Sequence, residues 1–163
     1  MDFYVIIELL LTSIGATSAM TWFSYAVSGN FRELYKEPVL LSFALERTHL
    51  SHSEQHQETW GWLVHYIIGF LFVIGYHIIW VENILPVSLL STLLLGVISG
   101  VIGIFSWIFI FKITRYQAPI DFNGCYIQLL FAHIFFALIV ASFNSISQIL
   151  LIVVKNYVLL YEP

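Results

Sequence analysis

A chain of 163 residues that is 60% hydrophobic, 17% aromatic and only 10% charged, with a mean hydropathy of +0.88, cannot cover its apolar surface in water. That excludes a soluble globular domain and leaves one integral membrane domain over residues 1–163. A net charge of −4 without a basic patch gives nucleic acid nothing to bind, and the single cysteine, Cys125, excludes an intramolecular disulfide or a cysteine-built metal cage.

Four apolar runs are each long enough to cross hydrocarbon, which takes about 20 residues of helix. The first covers Phe3 to about Tyr25. It begins acidic at Asp2, contains Glu8 and lacks a basic leader, so it is expected to be a retained helix rather than a signal peptide. The next segment mixes charge with apolar residues (Val39, Leu40, Leu41, Phe43, Leu45) and carries Pro38 where a helix can start. It predicts a short amphipathic helix lying on the inner membrane face.

The second span runs from Trp60 to Trp80 and the third from Ile84 to about Ile113, separated by so few residues that an antiparallel hairpin follows, with Pro86 in the first turn of the third helix. In the third span Gly96, Gly100 and Gly103 provide a small-residue face for close helix packing, either within the chain or against a second copy. The fourth span covers Tyr126 to about Val154. The fold expected is therefore all-α, a four-helix transmembrane bundle with one short interfacial helix.

Five of the six Lys and Arg residues (Arg32, Lys36, Arg47, Lys112, Arg115) fall in the first and third connections, and only Lys155 lies beyond. The positive-inside rule then places those connections in the cytoplasm and both termini outside. Trp22, Trp60, Trp62 and Trp80 fall near span ends, as an aromatic belt requires.

Ionisable residues within spans are costly and mark function by default. His65 sits about 9 Å and His133 about 14 Å inside the cytoplasmic ends of their helices, so the two can meet. Glu58 stands two turns before His65 on the same helical stripe. Glu58, His65 and His133 thus form a candidate inner-leaflet metal site, with Zn or Fe as the fitting ions. Hydrogen-bonded packing of the histidines, or a proton path through them, uses the same residues. Bis-His haem ligation is a further, weaker use of the pair. Near the outer face, Glu8 and His77 share a depth, and Asn144 and Gln148 extend that polar cluster at i, i+4 spacing. His49, His52 and His56 share one helical face before the second span and read as a solvated polar surface.

The string Glu58-Thr-Trp-Gly61-Trp62-Leu-Val-His65-Tyr66-Ile-Ile-Gly69, with Ala132-His133-Ile-Phe135 much later and Gly15-Ala16-Thr17-Ser18-Ala19-Met20-Thr21 in the first span, resembles the pattern of a family of bacterial inner-membrane proteins of about four helices. The resemblance brings no known activity. It implies that Glu58, His65, Tyr66 and His133 belong to one site, with Tyr66, Met20 and Thr17 lining it. Two departures stand out: the family pattern tends to carry an aspartate where this chain has Thr21, and a Pro/Gly-rich segment after the third helix is reduced to Ala118-Pro119.

Three functions follow as expectations. One is a Glu/His site in the cytoplasmic half that holds a metal or small ligand. Another is a proton-coupled transporter or channel subunit, working as a homo-oligomer. The last is a non-catalytic subunit docked on a membrane partner protein. In each of the three the lipid bilayer is itself a partner.

Overall fold

The computed structural model describes residues 3–31, 35–47, 54–115 and 118–161, and those residues form five helices with no strand among them. They are α1 (Phe3–Phe31), α2 (Glu37–Glu46), α3 (Glu54–Val81), α4 (Leu89–Thr114) and α5 (Phe122–Tyr161). Within α1, α3, α4 and α5 lie the four stretches long and apolar enough to cross a membrane. The chain is a multi-pass helical membrane protein.

Local chemistry moves several helix ends from where apolar runs alone put them. Asn83 takes a left-handed backbone (φ 53°) just after α3. The amides of Asn83 and Ile84 return to the carbonyls of Trp80 and Ile79, a Schellman closure. Helix α4 begins only at Leu89, because the Ser88 side chain accepts the amide of Ser91 at 3.3 Å and caps it. Pro86 therefore lies in the link over 82–88 rather than in the first helical turn. Asp121 accepts the amides of Asn123 and Gly124 and starts α5 four residues ahead of Tyr126. At 40 residues, α5 is about 60 Å long, roughly twice the thickness of the hydrocarbon core.

In lipid the outward face can be fully apolar, so the inward faces are where small and hydroxyl residues collect. The buried stripe of α1 is Leu9, Thr12, Ser13, Ala16, Thr17, Met20, Thr21, Ser24 and Ser28, while Leu10, Leu11, Ile14 and Trp22 face outward. Helix α4 packs chiefly on α5 through its glycine face. A Cβ at Gly96 would lie 2.7 Å from the Cα of Ile134, and one at Gly100 would lie 2.7 Å from Leu130. That face is thus occupied within the chain.

Helix α2 starts with Pro38 in its first turn, as expected, and it packs into the bundle. Glu37, Leu40, Leu41 and Ala44 form an i, i+3, i+4, i+7 stripe that is buried, and Phe43 is exposed. A Cβ at Gly61 of α3 would strike Ser42 and the Pro38 carbonyl, so α2 and α3 approach backbone to side chain. His49 and His52 lie outside the described residues, and His56 falls in the first turn of α3.

A tight apolar core separates the two ends of the bundle. Val73, Tyr76, Phe136, Ala137 and Val140 are all buried in it. Tyr76 ties α3 to α4 there, bonding the Ser99 hydroxyl at 2.7 Å and donating to the Leu95 carbonyl at 3.2 Å.

Candidate functional site

Below that core, on the side of the α1–α2 and α4–α5 connections, all five helices contribute to one cavity of about 170 Å³. His65 from α3 and His133 from α5 both line it, together with Thr17 and Met20 from α1. Gly103 from α4 makes room for the His133 ring: a Cβ there would lie 2.9 Å from Cε1 and 3.1 Å from Nε2. Phe72, Trp107 and Phe136 supply aromatic walls, and Phe72 meets the His133 ring edge-on at 5.5 Å.

Hydrogen bonding sets both imidazole tautomers. Thr21 Oγ1 donates its one hydrogen to the Thr17 carbonyl at 2.8 Å, so it must accept from His65 Nε2 at 3.0 Å. His65 therefore carries its proton on Nε2 and a lone pair on Nδ1. His133 Nδ1 stands 2.9 Å from the Leu129 carbonyl, which can only accept. His133 therefore carries its proton on Nδ1 and a lone pair on Nε2. Both rings are thus oriented, and in their neutral form each presents one accepting nitrogen, Nδ1 of His65 and Nε2 of His133.

The carboxylate of this site is Glu37 rather than Glu58. Seven residues of helix place Glu58 about 10 Å along the axis from His65, and its side chain is exposed at the start of the span. A shared stripe sets direction but not depth, and Glu58 does not line the cavity. Glu37 does, from the buried stripe of α2. Its Oε1 accepts from Ser24 Oγ at 2.7 Å and from Gln128 Nε2 at 3.2 Å, and Gln128 also donates to Ser24 at 2.6 Å. Its Oε2 is buried with no partner among the described residues, as is Thr17 Oγ1. Burial pushes the Glu37 carboxyl up to about 7, against the opposing pull of the bonds from Ser24 and Gln128.

Tyr66 stands aside from the cavity. One residue further round the helix than His65, it pairs with Ser18 at 2.8 Å and stacks near Trp62. Glu37, Ser24, Gln128 and Trp107 escaped the sequence reading because three of them look like ordinary loop or core residues. Glu37 carried a usable signal, its place on the i, i+3, i+4, i+7 stripe with Leu40, Leu41 and Ala44.

The expected three-ligand metal centre does not form. Among the described residues, no group of three or more His, Cys, Asp or Glu stands close enough to hold a metal ion. Nor does the cavity fit a porphyrin: at about 170 Å³ it is smaller than the roughly 300–1,000 Å³ of clefts that take drug-sized ligands.

No known protein family, curated protein or solved structure matches this chain.

At the opposite end, Glu8, His77, Asn144 and Gln148 do share one pocket, of about 250 Å³, with Trp80 and Ser147. Tyr4 bonds Ser147 at 2.7 Å beside it. Trp80 Nε1 and Asn144 Nδ2 are buried donors without partners among the described residues. This second pocket is mixed in polarity, setting those two donors beside the Glu8 carboxylate and the Gln148 amide.

Proposed function

We propose that the protein is a bacterial inner-membrane binding protein whose inner cavity holds a small molecule bearing hydrogen-bond donors. One observation carries this reading: His65 Nδ1, His133 Nε2 and, when the carboxyl is ionised, Glu37 Oε2 are acceptors from three helices that line one small cavity, with no hydrogen-bond partner among the described residues. A buried acceptor left unmade costs about 1–3 kcal/mol, and a ligand carrying donors relieves that cost. The neighbours fix the acceptors in place before any ligand arrives, which favours binding by sparing the ordering cost. The resemblance described above supports grouping His65 and His133 in one site. At position 21, where that family pattern tends to carry an aspartate, Thr21 orients His65. The cytoplasmic placement of this half and the external termini rest on the distribution of Lys and Arg.

The test is retention. Protein extracted directly into polymer-bounded native discs should carry a small molecule, seen by mass spectrometry, that a His65→Leu/His133→Leu variant lacks. Identical small-molecule content in the two preparations would defeat the reading.

A second reading, movement of that ligand or of protons between two pockets, draws on the cavity of Glu37, His65 and His133 and the pocket of Glu8, His77, Trp80 and Asn144 lying on either side of the Val73–Tyr76–Phe136 core. Flux in proteoliposomes that ceases with His65→Leu and with His77→Leu would support it, and flux indifferent to both would remove it.

A further inference from the structure

The cavity has walls of two kinds. Every lining residue from α1, α2 and α5 is buried, and every lining residue with appreciable exposure belongs to α3 or α4. Ile68 of α3 and Ser106 of α4 are the exposed ones, Ile68 at 39%. The backbone arrangement gives the reason. Helix α4 packs on α5, and α3 packs on α1 and α2. Tyr76 bridges α3 to α4 by its bonds to Ser99 and Leu95, and beyond that bridge the two helices part.

The depth of this gap decides what can use it. Ile68 lies about 15 Å from the Glu58 end of its span and about 20 Å from the Val81 end, and Ser106 lies about 12 Å from the Thr114 end of α4. Half the hydrocarbon thickness is about 15 Å. The mouth therefore faces acyl chains near the bilayer middle rather than water at either surface.

Size and chemistry narrow the ligand. A cavity of about 150 Å³ lined by apolar side chains admits one benzene ring, and this cavity is about 170 Å³ with Phe72, Trp107 and Phe136 among its walls. Its free acceptors come from α2, α3 and α5, on different sides. A ring with hydroxyls at separate positions can reach more than one of them, whereas an ammonium group serves a single point and leaves the cavity underfilled.

We infer that the α3–α4 gap is a lateral portal from the bilayer, and that the ligand is a lipid-soluble phenol or hydroquinone whose ring fills the cavity while its alkyl tail leaves between Ile68 and Ser106. This inference rests on the binding role proposed above and adds the route and the ligand class.

The test uses the full-length protein in lipid nanodiscs and four probes: decylhydroquinone, its dimethyl ether, decylamine and tail-less hydroquinone. Decylhydroquinone should bind saturably. The dimethyl ether should bind at least about tenfold more weakly, the loss expected from one unmade hydrogen bond to a buried acceptor. Hydroquinone without its tail should also bind more weakly. Ile68→Trp, placed on the exposed rim where it disturbs no core packing, should slow or weaken decylhydroquinone binding, and Leu71→Trp on the exposed face of the same helix should not.

Tail-independent binding, or binding indifferent to Ile68→Trp, would overturn the portal while leaving the binding role intact. Preference for decylamine would overturn the ring class alone. Equal binding of the dimethyl ether would defeat the acceptor-based role itself, and no saturable binding of decylhydroquinone would overturn the inference made here.

Discussion

At the scale of single residues, Glu37 carries the sharpest consequence. An isolated carboxyl titrates at 4.5, and in the folded chain burial raises Glu37 to about 7. The folded state therefore holds this proton more tightly than the unfolded chain does. Stability from this group is complete below pH 4.5 and falls as pH rises through about 7, beyond which the deficit is constant at about 3 kcal/mol. Glu37→Gln keeps an acceptor for Ser24 and removes the titration. The difference in thermal midpoint between wild type and this variant should then grow from pH 4.5 to 7 in favour of the variant. A difference that stays flat would mean the carboxyl is not buried as described. Thr21 allows a companion measurement. Thr21→Val removes the acceptor of His65 Nε2 and leaves that N–H buried and unanswered, at an expected cost of about 1–3 kcal/mol. Thr21→Ser keeps the hydroxyl and should recover most of the loss in the same melting experiment.

Between elements, glycine decides which helices touch, and the surroundings of each glycine sort them. Gly96→Ala sets a methyl 2.7 Å from the Ile134 backbone, which cannot rotate away as a side chain can. Helices α4 and α5 must then separate, and the expected destabilisation is about 1–3 kcal/mol. Gly75 sits inside α3 with nothing within 4 Å of its missing Cβ. Gly75→Ala should leave stability unchanged or raise it by up to about 1 kcal/mol through helix propensity. Unfolding of both variants in one detergent, followed by circular dichroism, checks the contrast. An equal response would show that Gly96 does not carry the α4–α5 contact. The α1 stripe makes the same point from hydroxyls: Ser24, Thr17 and Thr21 are buried because lipid takes the larger apolar side chains outward.

Over the whole molecule, the four spans were legible because apolar length alone makes a span, and their ends were not, because Asn83, Ser88 and Asp121 set them by individual caps. His65 and His133 could be paired from depth within their helices. Glu37 shares a stripe with Leu40, Leu41 and Ala44, but a carboxylate at the start of that stripe reads as solvated unless α2 is known to pack into the bundle, and Glu58 misled because a stripe ignores distance along the axis. Orientation across the bilayer still rests on Lys and Arg alone, and the single buried cysteine makes it testable. Cys125 is 7% exposed, so it should give little background to a membrane-impermeant maleimide. Glu82→Cys, exposed between α3 and α4, should label in intact cells. Pro119→Cys, exposed between α4 and α5, should label only after permeabilisation. The reverse pattern would invert the topology and move the Glu37–His65–His133 cavity to the outer half. Labelling of both sites from one side would mean that α4 does not cross, and the lipid-facing mouth between α3 and α4 would fall with it.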